Sequence, residues 1–302
     1  MRRIVVAGCV ILALVTGCKK SEKTSQEEKP QGRPLVIGLI PEQDIFNQVE
    51  RYTPLADYLS RKIGHKIELK MLTRYGNIVN NFVSSGMDGA FFGSFTYTLA
   101  HARLGVEVIA RPVSLDGTST YHGLLFVRKD SGILSIKDMK GKRFVFVDKA
   151  TTAGYLLPLE FFHHNGVRNY KTYLAETYFA GTHEDAILDV LERKADIGAA
   201  KNTVFERLAK NDPRISKELL VLMKSPEVPE NALAVRKDLD EALKQGIKTT
   251  LLTMDEEAGG QAVLKAFGAQ RFIETTDKDY APIIEYAREI GLNLSTYDYL
   301  ND

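Results

Sequence analysis

From Pro34 onward, short apolar runs alternate with amphipathic stretches, and this alternation limits the possible folds of the 302-residue chain more than any other feature. "PLVIGLI" reads as a buried strand. "ERYTPLADYLSRKIG" then reads as a helix ending at Gly64, with Leu55, Tyr58, Leu59 and Ile63 on one face. "KIELKML" alternates like a strand, "YGNIVNNFVSSG" is a helix, and "MDGAFFG" is a short strand. "SFTYTLAHARLG" opens a helix at Ser94, and "VEVIARPV" is again a strand. Strands alternating with helices predict an α/β fold with mainly parallel sheets covered on both faces.

Two stretches, "YHGLLFVRKD" and "NALAVRKDL", repeat one pattern: an apolar strand, a basic residue and an acidic turn. A second α/β segment lies between them. The expected organisation is one lobe from 34–128 and 233–302, with a second lobe from 129–232 inserted into it. Two crossings of this kind make a two-strand hinge. Small-molecule sites favour such interfaces and the carboxyl ends of parallel strands.

The N-terminal stretch reads as a targeting segment. Arg2 and Arg3 precede "IVVAGCVILALV", and small residues precede Cys18, as in a secretory signal over 1–17. "VTGC" resembles a bacterial lipobox, whose cysteine is lipidated; an uncleaved anchor or an ordinary export signal is the alternative. Residues 18–33 are polar and aperiodic, as expected of a flexible tether. The two cysteines, Cys9 and Cys18, both precede the body, which therefore has no disulfide or thiol metal site. Setting aside the seven basic and three acidic residues of 1–33 leaves 33 basic against 36 acidic residues in the body. That balance argues against a nucleic-acid partner.

Three predicted helix mouths carry small hydroxylic residues. "DKATTAGYLLP" follows the strand "KRFVFVD" and places Thr151, Thr152, Ala153 and Gly154 at a helix start. N–H groups there lack intrahelical partners and meet the positive end of the helix dipole, so an anion fits without a full positive charge nearby. Plain capping by a threonine is the simpler reading of this stretch alone. "FAGTHEDAILDV" puts His183 in the first turn of a second helix, where a ring nitrogen can donate to an oxyanion. Ser94 offers a third cap or donor. His163 and His164 read as exposed polar residues. No His/Asp/Glu set has metal spacing, and no nucleophile elbow, phosphate loop or dinucleotide motif is present.

Taken in order, five stretches resemble the phosphonate/phosphite/phosphate-binding subgroup of type II periplasmic receptors of ABC importers. They are "PEQ" with "RYTPLADYLSRKIG", "RYGNIVNNFVSSGMDGAFFGSFTY", "YHGLLFVRKDSGILSIKDMKGKRFVFVDKATTAGYLLP", "GTHEDAILDVLERKADIGA" and "PENALAVRKDL". The resemblance implies a two-lobed clamshell in which a Ser-Thr-Ser-Gly turn binds phosphorus-bound oxygens. Here the turn reads Thr151-Thr152-Ala153-Gly154, so one hydroxyl is lost. It also implies His183 as a ligand donor, and Tyr75 and Tyr121 facing the cleft from the other lobe. Aminophosphonate binders of this family place acids near the cleft, where this chain has Lys201-Asn202-Thr203 and Glu230-Asn231. The departure argues against an aminoalkylphosphonate. Glu230 is then either an acceptor for a protonated ligand oxygen or a solvated loop acid.

The resulting expectation is a monomeric, lipid-anchored receptor outside a bacterial membrane. It would capture phosphite, phosphate or a small phosphonate for an ABC permease, with no cofactor, metal or catalysis. Two rivals remain open: a sensor domain for a membrane kinase, and an exported hydrolase using His183 and Glu184 with a threonine nucleophile.

Overall fold

A computed structural model describes Met1 and residues 32–301. The expected signal segment beyond Met1, most of the expected tether and Cys18 lie outside the described residues. No helix among those described is long and apolar enough to cross a membrane.

The first lobe is a six-stranded sheet in the order β13-β4-β12-β3-β1-β2. It uses β1 (Leu35–Leu39), β2 (Ile67–Met71), β3 (Gly89–Phe92), β4 (Glu107–Ser114), β12 (Ala232–Val235) and β13 (Ala269–Glu274). Helices α1 (Ile45–Ile63), α2 (Asn77–Ser84), α3 (Ser94–Leu104), α9 (Glu241–Thr253) and α10 (Ala258–Phe267) belong to this half of the chain. Asp44 caps α1 by accepting from the N–H groups of Phe46 and Asn47, and Gly64 ends it at φ 64°. That left-handed position suits glycine.

The second lobe is a five-stranded sheet in the order β10-β6-β9-β7-β8. Its strands are β6 (Gly123–Arg128), β7 (Arg143–Phe146), β8 (Glu176–Phe179), β9 (Ile197–Lys201) and β10 (Leu219–Lys224). Its helices are α4 (Leu157–His164), α5 (Tyr170–Tyr173), α6 (His183–Leu191), α7 (Asn202–Asn211) and α8 (Pro213–Glu218). A π turn, Thr152–Leu156, leads into α4. Between the lobes, β5 (Thr120–Tyr121) pairs antiparallel with β11 (Val228–Pro229).

Alternation along the strands explains the layering. In β3, Phe91 faces a core shared with Leu55, Leu251 and Phe267, while Ala90 and Phe92 face the opposite core with Ile78 and Phe95. In the second sheet, Phe144 and Phe146 face Phe162, while Val145 and Val147 face Ile187 and Val190.

Two expectations change. The α/β two-lobed class stands, but the sheets are mixed. β1 is parallel to β2 and β3, and β7 to β8 and β9, whereas β4, β12, β13, β6 and β10 enter through antiparallel pairs. The expected first boundary, after Arg128, falls too late. β6 pairs with β9 and β10, so the chain crosses at β5 and "GLLFVR" belongs to the second sheet. An apolar strand carries no mark of the sheet it will join; its partners lie far away in sequence.

The C-terminal stretch does not return to the first lobe alone. Helix α11 (Ala281–Glu289) packs against both α3 and α4. Beyond it, the Tyr299 hydroxyl donates to Asn80 Oδ1 at 2.7 Å, and the Tyr297 hydroxyl donates to the Lys149 carbonyl at 3.0 Å.

Gly154 has a packing role. A Cβ there would stand 2.4 Å from Val147 Cβ and Cγ2, and 2.8 Å from Thr151 Oγ1. Gly154→Ala should therefore lower unfolding stability by about 1–3 kcal/mol, the usual range for overpacking. Urea unfolding checks this; a midpoint equal to wild type would show that β7 and the π turn can move apart freely.

Candidate functional site

The carboxyl ends of the parallel strands β1, β2, β3, β7, β8 and β9 converge on the interlobe cleft, as open α/β sheets favour. There, one small cavity of ≈ 10 Å³ is lined by Ile40, Glu42, Tyr75, Gly93 and Thr96 from the first lobe. Ala150, Thr151, Thr152, Ala153, His183 and Lys201 line it from the second, and Tyr121 and Asn231 from the crossings. A cavity of this size has room for about one water molecule.

The structure brings Thr151, Thr152, Ala153, His183, Tyr75 and Tyr121 together around this cavity. Ser94 does not line it. Its hydroxyl donates to the Pro229 carbonyl at 2.5 Å, tying α3 to β11, so its proton serves the hinge rather than the cleft. Glu230 also lies behind the cavity wall, against Lys201.

The threonine turn differs from simple capping. The first bond of the π turn runs from the Leu156 N–H to the Thr151 carbonyl. The N–H groups of Thr152 and Ala153 precede that ladder and have no intrahelical acceptor. Ala153 thus keeps a backbone donor although its side chain has none. Thr151 is not a free donor, because its hydroxyl donates to the Asp148 carbonyl at 2.7 Å. Thr152 Oγ1 accepts from the Phe95 N–H at 2.9 Å, across the cleft. Its hydroxyl therefore caps α3 of the opposite lobe and still carries its own proton.

His183 is the first residue of α6 and is 4% exposed. Thr182 caps that helix by accepting from the Asp185 N–H. The Lys201 N–H donates to His183 Nδ1 at 3.2 Å. A neutral ring with Nδ1 accepting carries its proton on Nε2, which is then a donor. Burial pushes the imidazole pKa down to about 3, despite the opposing pull of Glu42. The Tyr75 ring stands edge-on to it, with centroids 5.8 Å apart. Tyr75 is 2% exposed and its hydroxyl has no hydrogen-bond partner among the described residues. Burial also holds its phenol well above the ordinary pKa, so it remains a donor.

The expectation of a seat without full charges is corrected by Lys201. Its ammonium is buried at the end of β9 and lines the cavity. It donates to Glu42 Oε1 at 3.0 Å and to Glu230 Oε1, and lies 3.4 Å from Asn231 Oδ1. It also sits 4.5 Å from the centroid of the Tyr121 ring. Burial alone would lower the lysine pKa; Glu230 and Glu42 outweigh it and hold the pKa above its ordinary value. The carboxyl of Glu42 is likewise pushed up by burial, but is held well below the usual range by Lys201 and Arg51. Sequence reading noted Lys201 only as a departure, and missed Glu42 and Thr96. The available signal was position: a lysine closing "DIGAAK" and a glutamate just after β1 both sit at strand carboxyl ends.

Among the described residues, neither threonine hydroxyl is hydrogen-bonded to His183 or Glu184. Outside the cleft, Glu160, His164 and Glu289 bring three ligand atoms within 4.8 Å of one another, although only Glu160 is partly buried.

Comparison with known proteins gives the family. The family model for the periplasmic substrate-binding protein of phosphonate ABC transporters matches residues 37–280. The phosphonates-binding periplasmic protein of Escherichia coli (strain K12) is 28% identical over 262 residues, covering 85% of this chain and 77% of that protein. A binding-protein component of an ABC phosphonate transporter from Pseudomonas aeruginosa superposes with a TM-score of 0.78 at 25% identity, covering 84% of this chain and 86% of that one. PhnD1 from Prochlorococcus marinus (MIT 9301), solved in complex with methylphosphonate, gives a TM-score of 0.76 at 26% identity, covering 85% and 97%. With the family model spanning most of its length, the chain belongs to the periplasmic substrate-binding proteins of phosphonate ABC transporters.

Proposed function

We propose that this receptor captures a small tetrahedral oxyanion, namely phosphite, phosphate or a small phosphonate, between its lobes at this cavity, which widens from its single-water size as the lobes part to admit the ligand. The observation that carries the reading is the Tyr75 hydroxyl, buried at the cavity without a partner and facing a donor set from the other lobe. A buried hydroxyl left unpaired costs about 1–3 kcal/mol, and an oxyanion would remove that cost. Thr152 supplies a second hydroxyl proton, His183 an Nε2–H, and Thr152 and Ala153 backbone N–H groups at the mouth of the π turn and α4. Because Tyr75 and the threonine turn lie on different lobes, ligand favours the state in which the lobes meet.

The receptor acts as a monomer that hands its anion to an ABC permease. A lipid on Cys18 holds it outside the membrane, with 18–33 as the tether. Cys18→Ser should move the protein from the membrane fraction to the soluble exported fraction; unchanged membrane retention would place the anchor elsewhere.

Titration calorimetry against phosphite, phosphate and methylphosphonate should give one site per chain for at least one of them. Tyr75→Phe and Thr152→Ala should each weaken that anion by roughly 5–100-fold, from about 1–3 kcal/mol per lost buried donor. Affinities equal to wild type in both variants would move the site out of this cavity.

The histidine adds a test by pH. Its folded pKa of about 3 lies below the unfolded value of 6.5. Its contribution to stability is therefore complete above pH 6.5 and is lost as pH falls from there through about 3. Since the folded ring does not titrate near neutrality, the affinity ratio of wild type to His183→Gln should stay constant from about pH 6 to 8. A ratio changing with a midpoint near the ordinary histidine pKa would show a charged imidazole in the site.

A further inference from the structure

Lys201 divides the cleft. On its inner side is the ≈ 10 Å³ cavity with the oxyanion donors; on its outer side an open compartment of ≈ 410 Å³ reaches to Arg51 and Arg207. Glu42, Lys201 and Asn231 line both, so the ammonium and its acceptors form the partition. Any substituent on a phosphorus held in the inner cavity must point into the wall or past this ammonium.

The partition has the make-up of an ammonium site. Two carboxylates, an amide oxygen and an aromatic face converge on Nζ from three segments: Glu42 after β1, Glu230 and Asn231 after β11, and Tyr121 on β5. Carboxylates and aromatic faces are what bind a desolvated alkylammonium. Here the protein supplies that cation itself. We propose that Lys201 is a specificity-determining residue: its side chain occupies the position of a ligand ammonium, so the receptor takes anions without a cationic substituent and rejects aminoalkylphosphonates. This rests on the oxyanion seat proposed above.

The physical reason is exclusion by charge and space together. An incoming ammonium would meet the Lys201 ammonium inside a wall whose acceptors are already engaged. It could not displace Lys201 without leaving that charge buried and unmatched, a large penalty. An uncharged methyl, or a bare hydrogen or hydroxyl, needs no acceptor and leaves the partition undisturbed.

The test compares methylphosphonate with 2-aminoethylphosphonate by calorimetry on the whole exported protein. Wild type should prefer methylphosphonate by at least roughly 100-fold, since a charge facing an engaged site loses more than one tenfold step of affinity. Lys201→Met keeps an unbranched chain and frees both carboxylates, and should improve 2-aminoethylphosphonate relative to methylphosphonate by at least about tenfold. Because K201M leaves two unmatched acids, which favours unfolding, K201M/E42Q, which retains the net charge of the wild-type trio and one carboxylate, is measured beside it. Thermal unfolding confirms which variant is folded. Equal affinity of wild type for the two phosphonates overturns the proposal without touching the oxyanion seat. A folded K201M or K201M/E42Q that keeps the wild-type ratio also overturns it. Failure of wild type to bind methylphosphonate, phosphite or phosphate removes the seat itself, and the proposal with it.

Discussion

The closed cleft depends on one buried ammonium. Taking Lys201 out of water is unfavourable by several kcal/mol, and only close carboxylates can offset it. Those carboxylates come from Glu42 at the end of β1 and Glu230 beside the hinge strand β11, while Lys201 itself ends β9 of the other lobe. A single requirement for charge matching therefore fixes three separate pieces of chain around the site. The Tyr121 ring adds an aromatic wall from β5. Removing Lys201 would strand two carboxylates, and removing either carboxylate would leave the ammonium with a single partner, so the three are energetically coupled.

With its charged members mutually engaged, the cavity is left with neutral donors. His183 is held neutral by burial, with Nδ1 occupied by the Lys201 N–H. The Thr152 oxygen is occupied by the Phe95 N–H, yet its proton is not used by that bond. In the proposed seat, discrimination would turn on which groups stay unpaired: a ligand that satisfies the Tyr75 hydroxyl would gain, and one bringing a group with no acceptor would lose. The Thr152–Phe95 bond also shows how lobe contact and site assembly coincide: the same hydroxyl that faces the cavity caps the opposing helix α3.

The chain end adds a second connection between the lobes. Arg103 of α3 donates to the Leu294 and Tyr297 carbonyls, and Tyr297 in turn packs on Phe95 with ring centroids 5.8 Å apart. Asn301 donates to Asp148 Oδ2 and accepts from the Lys149 N–H. Asp148 begins the loop that carries Thr151 and Thr152, and burial raises its carboxyl to a pKa of about 6. The segment thus ties α3 to the loop ahead of the threonine turn.

Much of this architecture could be read before any coordinates. Strand and helix periods are local, so "PLVIGLI", "KIELKML" and "MDGAFFG" declared themselves, as did the small-residue helix mouths at Thr151 and His183. Strand partnership is not local. "GLLFVR" is apolar whichever sheet it joins, and only pairing with β9 and β10 moved it to the second lobe. Ser94 looked like a cleft donor because helix starts share one chemistry; the nearby Pro229 carbonyl decided otherwise. The lysine at 201 was visible, but its partner Glu42 lies 159 residues away. Sequence by itself determined the elements, the two-lobed class and the family of the site. Tertiary structure alone decided which hydroxyls keep a proton to give and which charge is already answered, because hydrogen bonding and burial depend on neighbours brought together only when the lobes fold and meet.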